Sequence, residues 1–521
     1  MIRDNRRFST LDCVGGLDLE SPPLKLSAGA MIICHNFDVK AGGGYRRIGG
    51  FERFDGQPSP SGSDDAQAAR DLIGYPVDAV KPVALRYFNG TLYAFFETNV
   101  PDVKLYKSSA AGWELVATPS LVTGGRYEII EHNFYGATSM KRMYGVDGAN
   151  NAFMFDGTTY TEIVPAGQTD KPRHIAAHKN HLFMSYAQGQ YVHSGIGEPT
   201  AWDVATEGAG AGGTGDEIVG IRPTVGGALA FFMRNRVNVL YGSSKTDWQA
   251  NDLRKQQDDA GAIEGSIQDL GDLFYLDDRG LTTLQQTQAF GNFDTSTIDR
   301  PVKRFIQNRK RRLISTTISR DRNQYWMLFS AGNSTEVLTL TLGDRGLDGY
   351  GRYLLPFKAV CVTSQEDENG DERIFVGAED GYVYEMEKGS SFDGAPIEAY
   401  CKLAFAHFGS PSRTKQFRHL VLGVEANSNV SLRIKPEFDY GSIERAGHRV
   451  IDSDLTGGGG QWDDDNWNEF TWSAQIISEA KCDITGTGRN MALLIYYKGD
   501  EAESFTLYDA TIQYSMRGLR R

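Results

Sequence analysis

Cysteine is sparse in this 521-residue chain: Cys13, Cys34, Cys361, Cys401 and Cys482 are widely scattered, odd in number and without a CxxC pair. The pattern fits a protein made in a reducing cytoplasm better than a disulfide framework. No stretch approaches the ~18 apolar residues that span a bilayer, and the opening MIRDNRRFST lacks the apolar run of a secretory signal. The expectation is a soluble protein with no membrane span, assembled in the cytoplasm. Cationic excess is missing too, with 54 Lys and Arg against 67 Asp and Glu and a net charge of −13. Coating nucleic acid needs a cationic face, so the charge argues against that role but not against a passage through which DNA slides without sticking. Long heptads and extended Ala/Glu/Lys/Leu helices are also lacking.

What is present is aromatic and glycine-rich: Phe, Tyr and Trp make 11% of residues and Gly numbers 59, which favours strands joined by tight turns. The fold class expected is all-β. The length asks for two or more domains, or one repeat architecture with an added domain.

Residues 1–74 alternate breakers with short apolar patches, as in Gly15-Gly16-Leu17 and Ser21-Pro22-Pro23, and read as an extended N-terminal arm with a loop at 57–69. From 75 to 389 one unit recurs. Ala84 to Phe96 is a strand, an Asn89-Gly90 turn and a strand, a strong hairpin signal. Asp-Gly turns serve the stretch from Arg142 to Tyr160, and Gln188-Gly189-Gln190 serves the one opening at His181. Further hairpins are read at 228–242, 273–284, 323–342 and 373–386. Units of this kind, each too small to bury its own face, predict a β-propeller of six or seven blades. Asp299 to Arg312 breaks the rhythm, with Pro301 near a start and Val302, Phe305, Ile306 and Arg309 at helical spacing, and reads as a short basic helix. From 390 to 521 the strands lengthen and alternate cleanly, predicting an antiparallel β-sandwich-like domain.

Candidate chemistry is thin. His174, His178, His181 and His193 are spaced so that strand geometry scatters their rings over both faces, and no Cys or carboxylate completes a ligand set. Asp463 to Asn466 lacks the spacing of a calcium loop, and Gly208 to Gly215, GAGAGGTG, reads as a flexible loop. Ser319 to Trp326 partly matches the turn motif of sialidase-like propellers, without its Gly. The expectation is no enzyme, no cofactor and no metal. The interface candidates are the basic-helix residues Lys303, Arg304, Arg309, Lys310, Arg311 and Arg312, with Arg46 and Arg47 of the arm. In the loop Ser194 to Asp203, Gly195, Gly197, Pro199 and Trp202 form a rigid turn expected to shape a blade edge or an interface.

That loop, Val239 to Ser244, Phe274 to Gly280, Gly486 to Asn490 and Tyr514 to Arg521, together with Gly15 to Pro23 and Tyr45 to Gly50, resemble the tail nozzle (tail hub) proteins of short-tailed bacteriophages, the podophages, over nearly the whole chain. The resemblance implies a virion structural protein, assembled in the bacterial host cytoplasm and resident in the virion tail. It implies a homo-hexamer below the adaptor of the head-to-tail connector, with a channel for genome ejection and transient contact with phage DNA. A tail fibre or tailspike would dock at its side and a tail needle or tip at its exit. The alternative is a propeller-type phage fibre or enzyme that binds or degrades glycan; a third reading is an intracellular propeller scaffold.

Overall fold

In the computed structural model the described residues are 6–23, 25–54, 76, 78–109, 112–116, 118–136, 140–248, 253–258, 261–285, 297–344, 346–441, 450–455, 476–500 and 504–517. They form an all-β protein of many small antiparallel sheets. No helix among them is long and apolar enough to cross a membrane.

Small antiparallel units follow one another along the chain. The first sheet holds Ala79–Phe88, Thr91–Thr98, Asp102–Ser109, Gly112–Leu115 and Leu121–Val122. The second is Glu128–His132, Arg142–Val146, Ala152–Phe155 and Tyr160–Ile163; the third is His174–His178, His181–Ser185, Gln190–His193 and Gly210–Gly213. Ile218–Pro223, Leu229–Met233, Arg236–Leu240 and Leu253–Asp258 make the fourth, and Gln268–Asp269, Leu273–Leu276 and Leu281–Thr283 the fifth. Leu313–Ser319, Gln324–Ala331, Ser334–Gly343 and Gly346–Leu355 form a sixth unit within a larger sheet. The seventh unit is Ala359–Glu366, Glu372–Ala378 and Val383–Met386, and Phe51–Arg53 pairs antiparallel with its last strand.

Each unit buries both faces against its neighbours. Phe95 and Leu105 of the first sheet share a core with Met143 and Phe153 of the second. Tyr144 and Met154 on the second sheet's other face meet Leu182 and Met184 of the third. Phe183, on the opposite side of its strand, joins Phe231 and Met233 of the fourth. The alternation continues with Phe232 against Tyr275, Phe274 with Tyr325, and Trp326 with Val376. Phe375 then packs with Leu85 and Phe96, so the seventh unit returns to the first. Covered on both sides, Leu229–Met233 and His181–Ser185 are buried throughout, the first wholly apolar and the second with Leu182, Phe183 and Met184 between the polar His181 and Ser185.

Turn chemistry sets the registers. Asn89 and Gly90 both take positive φ, 48° and 75°, matching the tight hairpin turn expected there. Asn323 adopts φ 51° where the sialidase-type motif has Gly.

Residues 6–54 are not a free arm. Arg6–Asp12 pairs along Thr506–Met516, and Met31–His35 pairs with Ile397–Leu403. Phe37–Val39 and Tyr45–Arg47 bridge Gly346–Leu355 to Thr506–Met516 in a ten-stranded sheet that also contains Lys415–Ala426 and Ile476–Gly488. Met31–His35, Ile397–Leu403, Met491–Gly499, Val430–Phe438 and Ile451–Leu455 make a five-stranded sheet, and Leu420, Leu422, Leu432 and Ile495 from the two sheets share one core. The expected boundary near 74 is therefore crossed by strand pairing, because the N-terminal strands fill places in sheets whose other members lie hundreds of residues away. The loop at 57–69 and the acidic stretch at 463–466 lie outside the described residues.

Gly208 to Gly215 differs from the flexible loop expected. Gly210–Gly213 is the fourth strand of the third sheet, paired with Gln190–His193. A Cβ on Gly210 would fall 2.3 Å from His193 Nε2, and one on Gly212 2.4 Å from the Tyr191 ring. The glycines leave room for rings lying across the strand.

Candidate functional site

The first strands of six units wall a cavity of about 380 Å³. Ala79–Phe88, Glu128–His132, Ile218–Pro223, Gln268–Asp269, Leu313–Ser319 and Ala359–Glu366 each contribute to it, and these strands carry charge among apolar residues. Arg86 Nε lies 2.8 Å from Glu131, whose carboxylate also takes Lys141 at 2.5 Å and Gln365 Nε2 at 2.9 Å. Glu128 receives His174 Nδ1 at 3.0 Å and Arg222 at 3.5 Å. Burial is the largest influence on Glu128 and acts to raise its pKa, yet Arg222 and His174 together outweigh it and hold the carboxyl down to about 2. Arg126 donates to the carbonyls of Ile314 and Glu264 at 3.4 and 3.5 Å.

The expected basic helix is present as a 3-10 turn Arg300–Val302, an α-helix Lys303–Arg309 and a second 3-10 turn Lys310–Arg312. Val302, Phe305 and Ile306 anchor it in the core. Its cations divide into two groups. Arg309 lies over the Phe305 ring at 3.8 Å and shares Glu336 with Arg352, each at 2.5 Å. Lys310 donates to the Asp278 carbonyl at 2.6 Å, Arg304 pairs with Glu20 at 3.2 Å, and Lys303 is half-buried. Arg300, Arg311 and Arg312 are exposed, with no ion pair among the described residues.

Arg46 and Arg47, proposed from sequence as interface groups, face inward. Arg46 reaches Asp38 at 2.5 Å and Glu387 at 3.5 Å. Arg47 is fully buried, its guanidinium 5.3 Å from the Tyr497 ring centre and 5.9 Å from that of Phe505. In the Ser194 to Trp202 turn, Gly195 N donates to Ala201 O at 2.9 Å and Gly197 N to Asn180 O at 2.7 Å. A Cβ on Gly195 would meet Glu207 O at 2.4 Å, and Gly197 has φ 70°. Pro199 is buried, and Trp202 is half-buried against the core shared by the second and third sheets.

Three of the four histidines are gathered, while His174 lies apart on Glu128. His178 and His181 face each other across a strand pair, and with His193 they surround Trp248, ring centres 6.2, 4.9 and 4.8 Å away. The loop carrying Trp248 gathers them, which strand periodicity cannot anticipate. Among the described residues no group of three or more His, Cys, Asp and Glu could hold a metal. The cavity residues also escaped sequence reasoning; their signal was single charges, Arg86, Glu128 and Arg222, in strands otherwise destined for burial.

No family model and no curated protein matches the chain. Among solved structures it is similar to the computationally designed protein Ika8, 12% identical over 60% of this chain and 98% of that one, with a TM-score of 0.35. An exo-β-1,3-galactanase from Phanerochaete chrysosporium is 12% identical over 84% and 96%, with a TM-score of 0.25. A chain of a mitotic checkpoint complex is 12% identical over 60% and 92%, with a TM-score of 0.37. Likenesses at this level carry no argument about activity.

Proposed function

We propose that the chain is the tail nozzle protein of a short-tailed bacteriophage, six copies of which ring the exit below the adaptor and guide the genome out. In this reading the seven units are propeller blades round the polar cavity, and the two C-terminal sheets with the N-terminal strands are a β-sandwich. The observation that carries it is the basic residues Arg300, Arg311 and Arg312, exposed and without an ion pair among the described residues, on a chain of net charge −13. A closed ring needs one face of each copy to complement a different face of the next, and an isolated cationic edge on an acidic protein suits such a contact. The overall negative charge suits a channel wall that must not grip phosphate. Fibres or tailspikes and a tail tip would dock on the outer faces.

Electron microscopy of the purified protein, alone and with adaptor, tests this. Six-fold rings are expected, and Arg311→Glu with Arg312→Glu should lose them while keeping the melting temperature. A monomer under all conditions that binds or cleaves polysaccharide would replace this reading with the glycan-directed one.

A further inference from the structure

We propose that the cavity walled by the first strands is a binding site for inorganic phosphate in its dianionic, singly protonated form. Four arginines line it, Arg86, Arg126, Arg222 and Arg320. The nearby carboxylates are already shared: Glu131 between Arg86 and Lys141, and Glu128 between Arg222 and His174. Glu372, at the edge, accepts from Ser364 Oγ at 2.6 Å, Ser319 Oγ at 2.7 Å and the Arg320 backbone N–H at 2.8 Å. Arg126 and Arg320 are left without an ion pair among the described residues. Arg126 acts electrostatically on Glu128, a carboxylate already shared by Arg222 and His174, so the arginines here are only partly balanced and a multiply charged anion suits them. The like charge of Arg320 is felt at Arg86, whose pKa is lowered first by burial and then by that repulsion, against the pull of Glu131.

A second feature selects among anions. Gln365 lines the cavity and gives its amide nitrogen to Glu131, while its buried Oε1 has no hydrogen-bond partner. An unpaired buried acceptor calls for a donor on the ligand. Hydrogenphosphate carries one O–H beside its anionic oxygens and sulfate carries none. The cavity holds the volume of about a dozen waters at ~30 Å³ each, enough for a phosphate with bound water.

The inference is independent of ring formation. Titration calorimetry on the full-length protein, at constant ionic strength, should show saturable binding of inorganic phosphate about tenfold or more tighter than sulfate, the scale of one hydrogen bond involving a charged group. Glycerol phosphate, whose dianion carries no O–H on phosphorus, should bind more weakly than inorganic phosphate in a parallel titration, and equal or tighter binding would overturn the proposal. Arg320→Gln, at an exposed position, should keep its melting temperature and weaken phosphate about tenfold. Arg126→Gln should do the same if it folds. Absence of saturable heat, equal binding of phosphate and sulfate, or an unaltered affinity in Arg320→Gln would each overturn the proposal.

Discussion

Arg46 stands directly across from Asp38 in the antiparallel strands Tyr45–Arg47 and Phe37–Val39, and its guanidinium reaches the fully buried carboxylate through two nitrogens at 2.5 and 3.1 Å. Tyr353 Oη at 2.6 Å and Gln324 Nε2 at 3.0 Å complete the shell of the carboxylate. The pair thus joins N-terminal strands to residues some three hundred positions away.

Removing one partner leaves a charge buried without its complement, so Arg46→Ala should cost about 3–5 kcal/mol, read as a fall in the urea midpoint. The acid side has a definite sign. Burial is the largest influence on Asp38 and acts to raise its pKa, but Arg46 and Tyr353 prevail and the net shift is downward. Its stabilisation is therefore complete above the ordinary carboxylate range and is lost as pH falls through the depressed folded value. In Asp38→Asn that acid-limb loss should shrink.

The histidine cluster makes a separate pH prediction. Burial pushes His178 and His193 down to about 4, assisted at His178 by Lys179 and His181. At His193 the Ser194 carbonyl opposes the fall, and His181 and Lys245 add to it. Unfolded imidazoles take protons near 6.5, so the stabilisation is complete above that pH and declines as pH falls from 6.5 towards 4. Trp248, ringed by these side chains, reports it: acid quenching or shift of its fluorescence should precede global unfolding and disappear in His178→Phe with His193→Phe.

Gly212→Ala should destabilise by about 1–3 kcal/mol, because the added methyl overlaps the Tyr191 ring and the strand must move. Gly208→Ala, with no atom within 4 Å, has strain from its φ of 78° alone. Thermal unfolding of the two variants should rank Gly212→Ala lower; the reverse order would remove the packing role given to Gly212.

Trp202→Ala exposes part of the core between the second and third sheets and should cost about 2 kcal/mol, less than a fully buried aromatic because the ring is half-exposed. The melting temperature and ring assembly are both to be measured. If neither changes, the loop from Ser194 to Trp202 shapes neither the sheet edge nor an interface.

Much of the fold was legible in the chain because hairpins are local. Asn89-Gly90, Asp156-Gly157 and the alternating residues beside them specify turn and strand within a dozen positions, and the helix at Lys303–Arg309 follows from the spacing of Val302, Phe305 and Ile306. The composition by itself pointed to an all-β chain, which the strands bear out. Tertiary structure alone decided the partners. Phe51–Arg53 joins Val383–Met386, and Arg6–Asp12 joins Thr506–Met516, across separations that no periodicity encodes. It also decided that Arg46 and Arg47 are inward, that glycine-rich 210–213 is a strand, and that Arg86, Glu131, Glu128 and Arg222 meet at one cavity. The physical reason is that turn geometry belongs to neighbouring residues, whereas the burial of a sheet face or the pairing of a charge is fixed by whatever surface the rest of the chain brings against it.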